Sequence, residues 1–175
     1  LMDHMQNFLT AGHETTAATL SWLFYYLSEH SELQEQIAVE AKQALGASGS
    51  IDQEELKDMP ILHSAILETL RLRPAAPYLM REAAEDTQIG EYRVRKGSFV
   101  WVLTGLLHTN PEYWGEDAHV FAPARFRDGK TPDVFMPFGL GPRKCIGERM
   151  AMFELAIVAA HLVSQYRLSP VPGQV

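Results

Sequence analysis

Apolar and small side chains recur at spacings of three and four over the first 29 residues, and this pattern restricts the fold most. The positions are Met5, Leu9, Gly12, Thr16, Leu20, Leu23 and Leu27. On a helix with about 3.6 residues per turn these positions share one face. We therefore predict one long helix from near the start of the chain to about Glu29. The stripe marks one side of this helix as apolar.

Three further helices are predicted along the chain. They cover Glu32–Leu45, Met59–Leu72 and Glu148–Tyr166. Ser31 is expected to cap the first of them, Gly46 to end it, and Pro74 to stop the second. Between those two helices the segment IDQEEL predicts a short acidic turn, with Ser50 or Asp52 as its cap.

The last predicted helix is apolar almost all round and is therefore expected to be buried. Between the helices the composition changes. Short runs rich in valine, isoleucine and aromatic residues, TQIGEYRV and SFVWVL, predict brief strands and hairpins. A proline-rich, irregular stretch follows from Pro111 to Pro137. The predicted fold class is mainly α with small β-sheets.

Composition narrows the functional class. The chain has 175 residues, 46% of them hydrophobic, and a net charge of -7. This content is enough for one core, and the acidic balance argues against a nucleic-acid partner. A single cysteine excludes an intrachain disulfide and favours a reducing, cytoplasmic compartment. No apolar run is long enough to span a membrane in this segment. The chain opens within a helical pattern and without methionine, so we expect it to be a piece of a longer protein, and an amino-terminal anchor stays open.

The segment from Phe138 to Gly147 reads FGLGPRKCIG and holds the only cysteine. Four interpretations compete for it. A small buried thiol in a tight turn is the commonest role of a lone cysteine. A phosphate-binding loop is excluded, because the glycine spacing fits neither G-x-G-x-x-G nor the Walker pattern. A nucleophilic cysteine would need a histidine base, which the chain's seven histidines are able to supply.

The fourth interpretation is an axial thiolate ligand for haem iron, and it accounts for more of the residues. Cys145 precedes the last predicted helix, whose N-terminus favours a thiolate. Backbone amides freed near Gly147 are able to donate hydrogen bonds to the sulfur. Gly139 and Gly141 let the backbone pass close to a flat macrocycle, and Arg143 is placed to meet a propionate. On the residues alone, the buried thiol, the nucleophile and the haem ligand all stay open.

The pattern F-G-x-G-x-R-x-C-x-G resembles the haem-binding signature of the cytochrome P450 family. It is matched in full at Phe138, Gly139, Gly141, Arg143, Cys145 and Gly147. The resemblance implies the cytochrome P450 fold, haem b as cofactor, Cys145 as the metal ligand, and cofactor contacts from Phe138, Gly139, Arg143 and Gly147. It extends in order over residues 1–175, which implies the carboxy-terminal, haem-binding part of a single domain whose amino-terminal half is absent.

The segment AGHETT, Ala11 to Thr16, resembles the oxygen-activating A-G-x-[D/E]-T-T of the same family. Ala11 and Thr15 share a helix face, and a glycine at position 12 costs about 1 kcal/mol in a helix, which suggests close approach by another group. Helix packing for the glycine and back-bonding for Thr15 are the plainer explanations. By resemblance Ala11 and Gly12 line the cofactor, Thr15 orders the hydrogen bonds around oxygen, and Glu14 relays protons.

The segments ETLR and PARF carry a third match. An acid–base pair at Glu68 and Arg71 is usually a surface pair of small value. In the family the same Glu-x-x-Arg is buried and is joined by an arginine from a P-x-R-F segment, which here is Arg125. The resemblance therefore implies a structural triad of Glu68, Arg71 and Arg125 that holds the segment leading to the cysteine. The departure from the commoner P-E-R-F is Ala124.

The stretch RPAAPYLMREAAEDTQIGEY supplies the remaining expectations. By resemblance the turn after Pro74 crosses above the haem and places Ala76, Pro77 and Tyr78 against substrate. Arg81 matches a position that contacts a haem propionate, although a solvated strand charge is the simpler explanation. Downstream, KGSFVWVLTGLLHTNPEYWG resembles the family's pattern of strands and short helices.

Together these matches imply a haem-thiolate monooxygenase that inserts one atom of O2 into a C–H or C=C bond of a hydrophobic small molecule such as a fatty acid or terpenoid. Electrons would come from a ferredoxin, a flavodoxin or an NADPH-dependent reductase, separate or fused. The segments AGHETT and GEYRVRKG most resemble those of soluble fatty-acid-hydroxylating members of the family and of related bacterial enzymes. Alternatives on the same haem are a peroxide-driven peroxygenase, an isomerase, and a non-catalytic haem-binding fragment that is inactive alone.

Overall fold

The computed structural model of the protein describes residues 2–46, 49–52 and 58–173. Helix α1 runs over Met2–Glu29 and confirms the long predicted helix. Its apolar stripe is buried only in part: Leu23 and Leu27 are fully buried, whereas Met5 and Leu9 are 63% and 73% exposed. Among the described side chains of α1, the buried ones all lie from Thr16 onward, so the first half of the apolar stripe is exposed.

Helix α2, Ser31–Leu45, follows α1 after a single residue. The prediction of Ser31 as its N-cap was wrong, because α1 ends so close that His30 takes the cap position and makes no side-chain capping bond. Gly46 ends the helix with a φ of 47°. Helix α3, Pro60–Leu72, begins with a proline, which lacks only an amide that the first turn leaves unpaired. The predicted acidic turn IDQEEL lies largely outside the described residues.

The main core forms where α1, α2 and α3 pack against the last helix, α6, which covers Glu148–Gln165. Leu155, Ala159 and Val163 of α6 lie in this core. Its other side carries Met150 and Val158, which are 73% and 36% exposed. The expectation that α6 is buried all round was therefore wrong, because only one face of the helix has an element packed against it among the described residues.

Two small antiparallel sheets lie between α3 and α6. Strands β2, Thr87–Ile89, and β3, Tyr92–Val94, form the predicted hairpin, which turns at Gly90 with a φ of 57°. Strand β1, Leu79–Glu82, pairs with β4, Phe99–Val102, so that Leu79 lies opposite Val102 and Glu82 opposite Phe99. The predicted class, mainly α with small β-sheets, is confirmed.

The chain then passes through short helices to the cysteine loop. These are α4, Thr104–Leu107, α5, Pro111–Trp114, and a 3₁₀ helix, Pro123–Phe126. A second, smaller apolar cluster holds this region together and consists of Trp114, Ala118 and Phe126 with Leu67, Val134 and Phe135 packed against them. Across the described ranges, none of the helices combines the length and apolar character that crossing a membrane requires.

Candidate functional site

The loop that holds Cys145 is shaped by two glycines and by local hydrogen bonds. Gly139 and Gly141 have φ values of 72° and 71°, a region that side-chain-bearing residues avoid. The Cys145 amide donates to the Phe138 carbonyl over 2.9 Å, which closes the loop just before α6. The sulfur lies beside the helix entrance, since a Cβ built on Gly147 would be 3.9 Å from Sγ. This geometry holds the sulfur at a defined place.

The cysteine is exposed and unpaired, so the interpretation of a buried thiol does not hold. Three apolar residues near it in the chain, Leu140, Ile146 and Met150, are also exposed, at 56%, 88% and 73%, and so are Arg143 and Arg149. Across the described residues, no three His, Cys, Asp or Glu side chains are grouped to hold a bare metal ion. One soft sulfur ligand among exposed apolar side chains fits an iron whose other ligands come from a flat, hydrophobic macrocycle.

Behind the loop lies a cavity of about 200 Å³. Phe138 and Gly139 line it from the loop, and His63 and Met152 line it from helices α3 and α6. Phe138 also packs against the main core, so the first residue of the loop is anchored there. Arg143 and Arg149 are exposed on either side of Cys145, while Lys144 pairs with Glu148 one helical turn on.

The segment Ala11–Thr15 lies on the exposed half of α1. The Thr15 hydroxyl donates to the Ala11 carbonyl over 2.7 Å, which is the back-bonding that the plainer explanation expected. A Cβ added at Gly12 would meet nothing within 4 Å in the described structure. Glu14 is exposed. The space beside Gly12 is therefore open to a group from outside the described residues.

Arg71 is fully buried on α3, and all of its hydrogen-bonding capacity is used. Its guanidinium forks onto Glu68, with Nε to Oε2 at 2.7 Å and Nη2 to Oε1 at 2.8 Å. The remaining donors reach three carbonyls of the following segment, those of His108, Ala118 and Val120, over 2.7, 2.6 and 3.2 Å. Five bonds match the five N–H groups of an arginine side chain.

Glu68 and Arg125 complete this cluster. The Glu68 carboxylate is fully buried and also accepts from the Ala122 amide over 2.8 Å and from Arg125 Nε over 3.2 Å. Arg125 donates to Asp117 on its outer side over 2.9 Å, and this hydrogen bond, aided by the charge of Arg125, holds the pKa of that carboxyl below the usual range. The structure thus brings Glu68, Arg71 and Arg125 together and ties α3 to the residues around 108–122.

His108 is a further buried residue of this network, which the sequence did not single out. Its side chain is fully buried, and Nε2 accepts from the Met136 amide over 3.0 Å. Its ring lies 5.3 Å from that of Phe135. Burial, aided by the charge of Arg71, lowers the pKa of His108 from 6.5 to about 4. The ring is therefore neutral at physiological pH.

The residues expected to face substrate lie in the exposed turn between α3 and β1. The carbonyls of Ala76 and Pro77 accept from Thr104 Oγ1 and the Gly105 amide over 2.7 and 2.9 Å, which fixes the turn against α4. The ring of Tyr78 lies 4.8 Å from that of Trp101 and is half exposed. Arg81 is exposed on β1 and donates to its neighbour's carbonyl, that of Met80.

The segments that carry the predicted site residues differ in whether they contact one another. Leu79 of β1 would meet a Cβ on Gly139 at 3.5 Å, so the substrate turn and the cysteine loop are neighbours. The Thr15 side-chain hydrogen bond, by contrast, stays within α1.

Two other polar residues, the buried Gln34 and the partly buried Glu40, carry no motif in the sequence but bond to distant segments. The Gln34 side chain donates from Nε2 to the Leu168 carbonyl over 3.0 Å and accepts at Oε1 from the Leu168 amide over 2.7 Å. Glu40 caps α3 from outside by accepting from the Ile61 and Leu62 amides, and its partial burial raises its pKa. No local pattern marks such residues, because these partners of Glu40 and Gln34 lie 21 and 134 positions away.

The chain is similar to known proteins of one family over its whole length. The family model described as Cytochrome P450 matches residues 1–175. The chain is 40% identical over 166 residues to Cytochrome P450 714C3 of Oryza sativa subsp. japonica, which covers 92% of this chain and 32% of that protein. It is 39% identical over 168 residues to a Cytokinin hydroxylase of Arabidopsis thaliana, which covers 95% of this chain and 33% of that protein.

A third relative, Cytochrome P450 714A2 of Arabidopsis thaliana, is 35% identical over 177 residues, covering 98% of this chain and 34% of the relative. The chain therefore spans about a third of the length of the relatives it matches. Members of this family bind haem. The family model extends from the long first helix through the cysteine loop to the end, and the chain belongs to the cytochrome P450 family.

Proposed function

We propose that this chain forms the haem-thiolate part of a monooxygenase. The full-length enzyme inserts one oxygen atom of O2 into a C–H or C=C bond of a hydrophobic small molecule. The observation that carries the proposal is the exposed sulfur of Cys145, held by a closed loop among exposed apolar side chains. When bound, haem b supplies the iron at which O2 is reduced and its O–O bond is cleaved.

The loop residues have distinct roles in this proposal. Cys145 is the iron ligand, and as a thiolate it donates electron density that favours cleavage of the O–O bond. Gly139 and Gly147 keep the backbone near the cofactor free of side chains, and Phe138 anchors the loop in the core. Arg143, with an exposed guanidinium, pairs with a haem propionate as a charge-assisted donor.

Residues on three other elements complete the cofactor and oxygen sites. Ala11 and Gly12 leave room beside α1, where the open space at Gly12 supports a close approach. Thr15 orders hydrogen bonds at the oxygen site, and Glu14 relays protons to it from the exposed side of the helix. Arg81 of β1 is proposed as a second propionate partner.

The cluster of Glu68, Arg71 and Arg125 has a structural role in the proposal. It holds the carbonyls around residues 108–120 in place and thereby fixes the segment that leads to the cysteine. Its charges are paired and hydrogen-bonded within a buried site, so each partner depends on the others.

The substrate is proposed to be apolar. Ala76, Pro77 and Tyr78 present exposed apolar surface beside the cysteine loop, which a fatty acid or terpenoid fits. The similarity to the Cytokinin hydroxylases of Arabidopsis thaliana supports hydroxylation as the reaction. Electrons come from a ferredoxin, flavodoxin or NADPH-dependent reductase, separate or fused. Exposed Arg143 and Arg149 offer positive charge for an acidic donor near the thiolate.

The alternatives keep the haem and change the chemistry. A peroxygenase or an isomerase would not need oxygen activation, and a haem carrier would need no catalysis. The pair Glu14 and Thr15 favours the oxygen-activating version, because protons must reach the distal oxygen in a controlled way.

A cytoplasmic location for the catalytic part is proposed from its single, unpaired cysteine and is tested by cell fractionation of the tagged full-length protein.

The first test is the absorption spectrum of the reduced, carbon-monoxide-bound full-length protein. A strongly red-shifted Soret band is expected for the natural protein and for Lys144→Gln, a matched neighbour in the loop. The band should disappear in Cys145→Ser. A red-shifted band that survives this substitution would remove Cys145 from its assigned place.

The second test separates the reaction classes. With its reductase and O2, the full-length protein should form hydroxylated product, and Thr15→Ala should divert electrons to hydrogen peroxide. Thr10→Ala, on the same exposed half of α1, is the matched control and should stay coupled. Full turnover on peroxide alone would favour the peroxygenase, and unchanged coupling in Thr15→Ala would contradict the role of that hydroxyl.

A further inference from the structure

His108 links the buried Arg71 of α3 to the segment before the cysteine loop. Its backbone carbonyl bonds to Arg71, and its ring bonds to Met136. Its backbone carbonyl accepts from Arg71 Nη1 over 2.7 Å. Its ring Nε2 accepts from the Met136 amide over 3.0 Å. Met136 lies 28 positions away in the chain, just before the loop. One residue therefore connects two segments that have no local relation in sequence.

The hydrogen bond to Met136 fixes the chemical state of the ring. A backbone N–H donates, so Nε2 must present a lone pair. The side chain is fully buried, with the guanidinium of Arg71 and its partner Glu68 as the charged groups nearby on α3. A second positive charge beside Arg71 would be costly there, so the ring is neutral with its proton on Nδ1, a buried nitrogen that has no hydrogen-bond partner among the described residues.

From Met136 the connection continues to the metal ligand. The Met136 carbonyl accepts from the Gly139 amide, and the Phe138 carbonyl accepts from the Cys145 amide, each over 2.9 Å. A chain of backbone contacts thus runs from His108 through the positive-φ turn at Gly139 to the cysteine itself. A change in the position of Met136 would be passed to both ends of the loop.

We propose that His108 is a positioning residue for the cysteine ligand: the lone pair on Nε2 holds the Met136 amide and thereby sets the position of the Phe138–Gly147 loop. This rests on the proposed haem-thiolate site for its spectroscopic consequence, but the hydrogen bond to Met136 stands without it. Two substitutions of His108 test this geometry. The side-chain oxygen of glutamine lies about as far from the backbone as histidine Nε2, whereas that of asparagine lies closer to the backbone and falls short of the Met136 amide.

The experiment compares His108→Phe, His108→Gln and His108→Asn in the full-length protein, with the exposed His119→Phe as the matched control. Amide hydrogen exchange of the peptide that contains Met136 is the readout that needs no cofactor. Loss of one hydrogen bond should speed its exchange by about five- to tenfold in His108→Phe and His108→Asn. His108→Gln and His119→Phe should exchange at the natural rate.

The reduced carbon-monoxide spectrum is the second readout. His108→Phe and His108→Asn should lose part of the thiolate band per bound haem, and His108→Gln should retain it. Equal effects of Gln, Asn and Phe on exchange would overturn the proposal, since only ring packing would then matter. If His108→Phe does not fold, the Gln and Asn pair decides. A natural protein without a thiolate band would refute the proposed function, while the exchange data would still test His108.

Discussion

Replacing Arg71 offers a quantitative test of the buried triad. The Arg71→Met substitution removes five hydrogen bonds and leaves the fully buried Glu68 carboxylate with the Ala122 amide and Arg125 Nε as its remaining partners. Breaking a buried ion pair by removing one partner costs about 3–5 kcal/mol. Since whole domains are stable by only about 5–15 kcal/mol, we expect much of the variant protein to be unfolded or free of haem.

The milder Arg71→Lys substitution gives a measurable value. Lysine keeps the charge but brings three donors in place of five and cannot fork onto the carboxylate. At least two acceptors among the Glu68 oxygens and the carbonyls of His108, Ala118 and Val120 would lose their donors. At about 1 kcal/mol for each lost bond, the free energy of unfolding should fall by about 2–3 kcal/mol.

Urea unfolding of the full-length protein, followed by far-ultraviolet circular dichroism, measures this loss. Arg93→Lys is the matched control, because Arg93 pairs with Asp86 at a similar distance of 2.9 Å but on the surface. We expect little or no effect there. The double variant Glu68→Gln/Arg71→Met should recover part of the loss of Arg71→Met, since no buried charge is left unpaired. Equal losses in Arg71→Lys and Arg93→Lys would refute the reasoning.

Two further predictions concern the loop and its support. Acidification should destabilise the protein through His108: the unfolded state binds the proton below pH 6.5 and the folded state only near pH 4, so stability falls as the pH falls through this window, by up to about 3 kcal/mol. Urea midpoints from pH 7 to pH 4.5 check this, and a His108→Gln variant with the same acid slope would contradict it. Gly139→Ala should cost about 1–2 kcal/mol through its φ of 72° and should weaken the thiolate band. Gly90→Ala, at a φ of 57° in the β2–β3 hairpin, should cost a similar amount in thermal unfolding with an unchanged spectrum, and a matching spectral loss would argue against a local effect.

The regular elements were well predicted because their signals are local. The spacing of apolar residues in α1 and the stop at Pro74 lie within each segment, and the observed helices Met2–Glu29 and Pro60–Leu72 follow them closely. The hairpin at Gly90 was predictable from a short turn between two runs rich in strand-forming residues. The cysteine motif is similarly compact, and its ten residues sufficed for the family assignment that the comparison confirmed.

Tertiary structure decided which surfaces those elements bury. Periodicity marks the apolar face of a helix but not the element that covers it. Leu9 is therefore exposed within the apolar stripe of α1, and Met150 is exposed on α6, which was expected to be buried. Likewise the pairing of β1 with β4 joins strands separated by another hairpin, and no feature of LMRE specifies that partner.

The support of the site also lay beyond local sequence. Arg71 is recognisable in ETLR, but its bonds to carbonyls 37 to 49 positions away arise only when α3 packs against the later segment. His108 carries no motif, and its neutral state follows from burial and from the Met136 amide. The sequence by itself determined the helices, the fold class and the cysteine ligand candidate, because short-range chemistry specifies them. The fold alone determined what holds that ligand in place, because the contacts depend on chain segments that meet only in three dimensions.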